Sequence, residues 1–198
     1  MIPLGVLAGS RHVPSGGGPM ILTSDSFNRA DGALGGSYSD AALGGTPLLW
    51  YNNASYVVES NQLRSTSALV RFATLNVGVS AMAVSVRIAA MGTVSLNASG
   101  ASNDARANTN RLNIGADGAL TLIVAFADEP TLGTAPAGTV ATGDIVELVS
   151  DSPAVSARVN GVTVISGTDS TGRTPGTYAG ISSRSNAWRL DDFKVEGL

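Results

Sequence analysis

The sequence predicts an all-β protein that folds as an antiparallel β-sandwich or jelly roll. Three observations predict this class. Larger apolar side chains fall on the even positions of residues 81–88, which is the period of a strand with one face on a core. Asn160-Gly161 and Asp117-Gly118 are dipeptides typical of two-residue hairpin turns. No segment shows the periodicity of a helix, so strands must pack on strands.

The first and last strands are predicted at the two ends of the folded region. Residues 25–32, DSFNRADG, are interpreted as the first strand and Leu190–Val195 as part of the last. The alternation changes phase between Leu190 and Phe193, which indicates a β-bulge near Asp191-Asp192. Gly- and Ser-rich breaks separate about a dozen predicted strands: 56–59, 62–65, 68–73, 81–88, 93–98, 111–116, 119–127, 144–150, 153–159, 162–166, 177–182 and 188–195.

The Asn160-Gly161 turn also predicts a strand register. Both central residues of a type I′ turn have positive φ, so Val159 and Val162 are expected to face each other across the hairpin. Ala157 is then expected opposite Val164, which aligns their inward faces. Asp117-Gly118 is interpreted as a second turn of the same kind.

Length and composition indicate one sandwich domain with an N-terminal arm. The chain has 198 residues, and single all-β domains reach roughly 200–250 residues. Residues 1–20 are assigned to the arm and its glycine-rich linker, and residues 21–198 to the domain. A domain of this size buries a core without disulfides or metals, so the absence of cysteine is no obstacle to folding.

Low charge narrows the classes of partner. Charged residues make up 14% of the chain and the net charge is −3, a field too weak to attract nucleic acid or an anionic membrane surface. No apolar run reaches the roughly 18 residues of a membrane-spanning helix. We therefore expect neither nucleic acid binding nor membrane insertion. A surface of small polar residues favours packing against other subunits, which predicts an assembly component.

The arm combines an apolar tip with a flexible hinge. Ile2, Leu4, Val6 and Leu7 form the tip, and residues 15–19 read SGGGP. One interpretation is that the tip docks on another subunit as an added strand. The alternative is a disordered terminus.

Residues suited to catalysis are sparse. His12 is the single histidine, it lies in the arm, and the chain has no cysteine, which argues against a Ser-His-Asp triad and a zinc site. Glycoside hydrolysis needs two carboxylates about 5–10 Å apart across a cleft. Asp128-Glu129 and Asp191-Asp192 are adjacent pairs, and neighbouring side chains of a strand point to opposite faces. The sequence therefore predicts a protein that is not an enzyme.

Three stretches resemble the concanavalin A-like lectin/glucanase fold, of which laminin-G-like domains are one branch. They are DSFNRADGALGG followed by Trp50, the hairpin RVNGVTVIS, and the ending GTYAGISSRSNAWRLDDFKVEGL. The resemblance extends over residues 22–198 and implies that the first and last strands pair in one sheet. Lectin-fold glucanases usually carry alternating acids on one strand, a pattern that this chain lacks. The fold hosts lectins, hydrolases and structural modules, so it leaves the function open.

The opening Pro3–Leu7, joined by glycines to such a domain, resembles minor tail proteins of bacteriophages that infect actinobacteria. This resemblance implies a structural subunit of the virion, located in the phage tail. The arm would be its tether and other virion proteins its partners. A homo-oligomer around the tail axis is the expected assembly of such a subunit. The alternatives are a carbohydrate-binding adhesin that attaches to a host surface glycan, and a capsid decoration protein.

Sugar recognition would use exposed aromatic rings flanked by amides. One such cluster in the sequence consists of Trp50, Tyr51, Asn52, Asn53 and Tyr56, with Trp188 as a second candidate. The alternative is that these rings pack in the core or along a sheet edge.

No cofactor is predicted, with a structural calcium as the alternative. Laminin-G-like and lectin relatives often bind calcium through loop carboxylates, amides and backbone carbonyls. The candidates in expected loops or strand ends are Asp25, Asp31, Asp40, Asn103 and Asp104. None of them shows a ligand spacing, and Asp and Asn in turns usually bond their own backbone.

Overall fold

The structure is a computed structural model. It describes residues 19–34, 36–52, 55–69, 71–103, 108–126, 128–183 and 185–198, with the backbone alone at Asn52. Several predicted residues lie outside this part of the chain: Ile2, Leu4, Val6, Leu7, His12, Asn53 and Asp104.

In the described part of the chain, sixteen β-strands form two antiparallel sheets, which confirms the predicted fold class. The strands are β1 Met20–Asp25, β2 Gly32–Ala33, β3 Tyr51–Asn52, β4 Tyr56–Glu59, β5 Gln62–Ser65, β6 Arg71–Asn76, β7 Met82–Ala90, β8 Val94–Gly100, β9 Thr109–Ile114, β10 Leu120–Ala125, β11 Thr131–Ala135, β12 Ile145–Asp151, β13 Ala154–Val159, β14 Val162–Thr168, β15 Tyr178–Ser183 and β16 Arg189–Gly197. Among the described residues, none belongs to a helix capable of crossing a membrane.

Each sheet has a defined strand order. The nine-stranded sheet runs β14-β13-β12-β7-β16-β5-β4-β2, and β1 also pairs with β16. The seven-stranded sheet runs β11-β10-β9-β8-β15-β6-β3. Inward side chains of both sheets form one core cluster, and burial of that apolar surface is the main stabilising contribution.

The first and last strands lie side by side, as the resemblance implies. Asp25 of β1 pairs with Phe193 of β16. The predicted bulge is present, because the register shifts between Asp191 and Lys194 and Asp192 adopts a φ of 48°. The prediction of a first strand over residues 25–32 is wrong, since β1 ends at Asp25.

Alternation along β7 places its larger apolar side chains in the core, as predicted. Met82, Val84, Val86 and Ile88 are at most 1% exposed. They belong to the same cluster as Leu96 of the opposite sheet. The largest side chains of this core are aromatic: Trp50, Trp188, Tyr56, Phe27 and Phe193.

The Asn160-Gly161 hairpin is confirmed, but the register beyond it is different. Both turn residues have positive φ, 49° and 80°, and Val159 pairs with Val162. Ala157 pairs with Ile165 and not with Val164, because a β-bulge shifts the register between Ala157 and Arg158. The extra residue turns Ile165 into the core.

The Asp117-Gly118 turn is of a different kind from the predicted one. The Gly118 N–H donates to the Gly115 carbonyl at 3.0 Å, and Gly118 has a φ of 80°. Asp117 takes no positive φ, and its Oδ1 accepts the Ala119 N–H at 3.1 Å. An Asx turn therefore shapes this hairpin, in which a type I′ turn was predicted.

Two further differences concern strand bounds. β6 begins at Arg71, three residues after the predicted start at Ala68. β11 was not predicted, since Thr131–Ala135 is short and contains Gly133, a residue with low β-propensity.

Candidate functional site

The aromatic cluster expected at the surface lies mostly in the core. Trp50 is 1% exposed and Tyr56 is 0% exposed, so neither ring is accessible for a sugar to stack on. Trp50 packs on Phe193 with ring centroids 5.0 Å apart. Tyr56 packs on Trp188 at 5.9 Å, and its hydroxyl donates to the Arg71 carbonyl at 3.0 Å. Burial raises the pKa of Tyr56. Tyr51 alone of these rings is exposed, at 41%.

A buried carboxylate holds the Trp50 ring in place. Asp25 is 0% exposed, and its Oδ2 accepts the Trp50 indole N–H at 2.7 Å and an Arg29 N–H at 2.8 Å. Its Oδ1 accepts the Phe27 N–H at 3.0 Å. Burial raises the pKa of Asp25, and the indole bond and the Arg29 charge offset this only in part. Asp25 therefore has a structural role, as an anchor between β1 and the residue before β3.

The outer face of the seven-stranded sheet brings together residues that are distant in the sequence. Directly paired residues of antiparallel strands point to the same face. Consecutive pairs across the sheet form a first row: Tyr51, Thr74, Gly180, Asn97, Arg111 and Ile123. A second row beside it consists of Phe72, Ser182, Ser95, Asn113, Thr121 and Thr134. The alternate residues, such as Leu96 and Ile181, are in the core.

Hydrogen bonds join side chains between the two rows and within each row. The Asn97 amide donates to Ser182 Oγ at 3.0 Å, and Arg111 Nε donates to Asn97 Oδ1 at 3.2 Å. Ser95 donates to Asn113 Oδ1 at 2.7 Å. Buried and half-buried side chains that bond each other in this way are fixed in orientation, which is the usual condition for specific recognition.

Aromatic rings lie at one end of these rows. Tyr51 of β3 and Tyr178 of β15 reach over β6 and meet edge to face, with ring centroids 6.5 Å apart. Phe72 of β6 is half-buried on the same face. We call Tyr51, Tyr178 and Phe72 the aromatic end. Sequence reasoning missed Tyr178, although its alternation with buried Ala179 and Ile181 was the available signal.

The two outer faces differ in charge. The strands of the seven-stranded sheet contain no Asp or Glu, and their only charged residues are Arg71 and Arg111. The nine-stranded sheet carries ion pairs on its outer face, which include Arg158–Glu147, Arg87–Asp192 and Lys194–Glu196. A face of paired charges is well solvated, whereas uncharged amides, hydroxyls and rings favour contact with a neutral ligand.

Two loops border the polar rows. The Asn103 carbonyl, which follows β8, accepts the Thr74 hydroxyl at 3.0 Å. Glu129, between β10 and β11, has Oε1 3.8 Å from Arg111 Nη1. The aromatic end is more exposed than the middle of the rows, since Tyr51 is 41% exposed and Asn97 is 1% exposed.

The carboxylates considered for calcium bond the protein itself. Asp31 Oδ1 accepts the Ser60 N–H at 2.9 Å. Asp40 accepts bonds from Ser26 and Ala42, and these outweigh its burial and lower its pKa. In the described residues no group of three or more His, Cys, Asp or Glu could hold a metal ion. Asn103 offers its carbonyl to Thr74.

Comparison with known proteins defines the class of fold. No protein-family model matches the chain, and no curated protein matches it. Solved structures do match. The chain is similar to the carbohydrate binding module CBM66 from Bacillus subtilis, with a TM-score of 0.54 and 11% identity over 84% of this chain and 95% of that one.

Two further structures illustrate the range of this class. The chain is similar to the exoplasmic/lumenal domain of VIP36 in its Ca2+/Man-bound form, with a TM-score of 0.55 and 10% identity over 84% of this chain and 89% of that one. It is also similar to LamAcat from Zobellia galactanivorans, with a TM-score of 0.53 and 12% identity over 89% and 97% of the two chains. At such identities the likeness establishes the fold alone, a concanavalin A-like β-sandwich.

Proposed function

We propose that this protein is a non-catalytic carbohydrate-binding module whose site is the outer face of the seven-stranded sheet. The observation that carries the proposal is the aromatic end beside the polar rows. The Tyr51–Tyr178 pair offers ring faces and edges to the apolar face of a sugar ring. The neighbouring amides and hydroxyls suit sugar hydroxyl groups, which both donate and accept hydrogen bonds.

The ligand in this proposal is a neutral glycan. Arg111 is engaged by Asn97 and lies near Glu129, so its charge is already compensated on this face. The fold neighbours support the proposal, because one is named as a carbohydrate binding module and another is a mannose-bound domain.

The absence of acidic residues from the seven strands supports a binding role over hydrolysis. A glycosidase places two carboxylates on either side of the scissile bond. The strands that form the proposed site supply none. We therefore propose that the module is not an enzyme.

A glycan array with the wild-type protein, followed by affinity measurement on the best neutral glycan, tests the proposal. Replacing Tyr51 and Tyr178 together with alanine is expected to weaken binding at least about 10-fold, about 1.4 kcal/mol, because buried aromatic contacts dominate such interfaces. The double change to phenylalanine keeps both rings and is the matched control.

The controls distinguish loss of the binding site from loss of the folded structure. Val162→Ala lies on the nine-stranded sheet, where Val162 is 66% exposed, and it is expected to leave binding unchanged. Absence of binding to any neutral glycan contradicts the proposed function. Full affinity in the double alanine variant, folded as judged by circular dichroism, contradicts the proposed site.

A second proposal concerns location. The apolar arm tip and the glycine-rich linker in the sequence support a structural subunit of a phage virion, namely a minor tail protein that contacts other virion proteins. Binding of a host surface glycan and attachment to a virion are compatible roles for one subunit. Antibody labelling of intact particles tests this location, and signal confined to the head would favour a capsid decoration protein instead.

A further inference from the structure

The turn between β13 and β14 contains the dipeptide Asn160-Gly161, which occurs once in the chain. Both residues are exposed. An asparagine followed by glycine is especially prone to deamidation, because glycine has no Cβ to shield the backbone nitrogen that attacks the asparagine side chain. Asparagine is accordingly one of the thermolabile residues of proteins. The dipeptide that forms this turn is therefore also chemically labile.

The backbone nitrogen of Gly161 is accessible in the structure. A Cβ built on Gly161 would meet no atom within 4 Å, so the space around this residue is open. In the part of the chain that the structure describes, the Gly161 N–H donates to no backbone carbonyl. Any protection of this turn against deamidation therefore has to come from the asparagine side chain.

The side-chain amide of Asn160 is held by Asp144 and Ile145, at the start of β12. Asn160 Nδ2 donates to Asp144 Oδ1 at 2.8 Å, and Asn160 Oδ1 accepts the Ile145 N–H at 3.0 Å. The Asn160 N–H donates to the Ile145 carbonyl at 2.8 Å, so the backbone is fixed at the same place. Asp144 is itself fixed, because its Oδ2 accepts the Ala141 N–H at 2.8 Å. The bond from Asn160 lowers the pKa of Asp144, so the acceptor is charged at neutral pH.

We propose that Asn160 is a deamidation site and that its hydrogen bond to Asp144 slows the reaction by restraining the amide. In the reaction the Gly161 nitrogen gives its proton to solvent base and bonds to Asn160 Cγ. The Cγ–Nδ2 bond breaks, and Nδ2 leaves as ammonia with a proton from solvent. Water then opens the cyclic imide to aspartate or isoaspartate. Closing the imide ring requires rotation of the Asn160 side chain, which breaks its bonds to Asp144 and Ile145.

Deamidation would weaken the hairpin of β13 and β14. An aspartate at position 160 would place a carboxylate beside that of Asp144, and like charges at hydrogen-bond distance repel each other. An isoaspartate adds one carbon to the backbone, which the two-residue turn between Val159 and Val162 does not accommodate. Asp144 thus protects the hairpin by protecting one amide. This chemistry is independent of glycan binding, since the hairpin belongs to the nine-stranded sheet.

Incubation of the full-length protein at neutral pH, followed by peptide mass mapping, measures the rate of deamidation at Asn160. Asp144→Ala removes the acceptor, and we expect deamidation at least about threefold faster than in the wild type, the effect of losing one side-chain hydrogen bond. The matched control is Asp117→Ala, which removes the bond from the Ala119 N–H in another hairpin turn. It is expected to leave the rate at Asn160 unchanged. Circular dichroism checks that both variants are folded.

The wild-type protein unfolded in urea gives the rate of the unrestrained dipeptide. We expect the folded wild type to react at least about tenfold more slowly, because several hydrogen bonds have to break first. Equal rates in the folded and unfolded wild type, or in Asp144→Ala and the wild type, would overturn the proposal. A similar acceleration in Asp117→Ala would show that turns loosen in general, and it would also overturn the proposal. So would deamidation confined to other asparagines.

Discussion

Replacing Trp50 with alanine is expected to lower the free energy of unfolding by about 3–5 kcal/mol, the cost of a large cavity at a buried tryptophan. Trp50 is 1% exposed and packs between Phe27 and Phe193. Its loss also removes the indole donor from Asp25, a buried carboxylate, and an unpaired buried acceptor is costly in itself. Urea unfolding followed by circular dichroism measures the change.

Trp50→Phe separates the cost of the cavity from the cost of the lost hydrogen bond to Asp25. The phenyl ring fills part of the cavity but cannot donate to Asp25, so we expect a smaller loss, about 1–3 kcal/mol. A Trp50→Ala protein with wild-type stability and weakened glycan binding would contradict the structure and restore Trp50 as an exposed binding residue.

Replacing Arg173 with alanine is expected to cost a similar amount, about 3–5 kcal/mol, because it leaves a buried charge without its partner. The Arg173–Asp169 pair has side chains 1% and 4% exposed, with Nε and Oδ2 2.7 Å apart. Arg173 also donates to the Ser99 carbonyl at 2.8 Å, so it ties the segment that precedes β15 to the end of β8. Arg158→Ala is the matched control.

The control variant and the pH dependence distinguish the loss of a buried ion pair from the loss of any charged side chain. Arg158 pairs with Glu147 near the surface, with side chains 40% and 18% exposed, and its removal is expected to cost at most about 1 kcal/mol. Burial alone would raise the pKa of Asp169, but bonds from Thr171 and Arg173 lower it below the ordinary 3.8. The stability from this pair is therefore present above pH 3.8 and is lost as the pH falls through the folded pKa. Equal losses for the two alanine variants would contradict the buried pair.

Much of the fold could be predicted because its signals are local. The period of two along residues 81–88 and the Asn160-Gly161 turn depend on neighbours in the sequence, and both are confirmed. The pairing of Ala157 with Ile165 depends on a bulge that inserts one residue. Nothing in the alternation of Val162 and Val164 distinguishes that bulge from a regular hairpin.

The candidate site could be predicted only in part, because it depends on the strand order. Tyr51 and Tyr178 are far apart in the sequence and meet because β3, β6 and β15 are neighbours in one sheet. Trp50 and Tyr51 are adjacent, yet one is in the core and the other is exposed. A cluster of residue types in the sequence does not show which of these two rings is buried. The alternation of side chains between the two faces of a strand does show it.

The most direct measurement is an amide chemical-shift titration of the isotope-labelled protein with the neutral glycan that an array selects. We expect the shifts to concentrate in β3, β6 and β15, around the aromatic end and the adjoining polar rows. Shifts concentrated in β12, β13 and β14 or along the ion pairs of the nine-stranded sheet would contradict the proposed site.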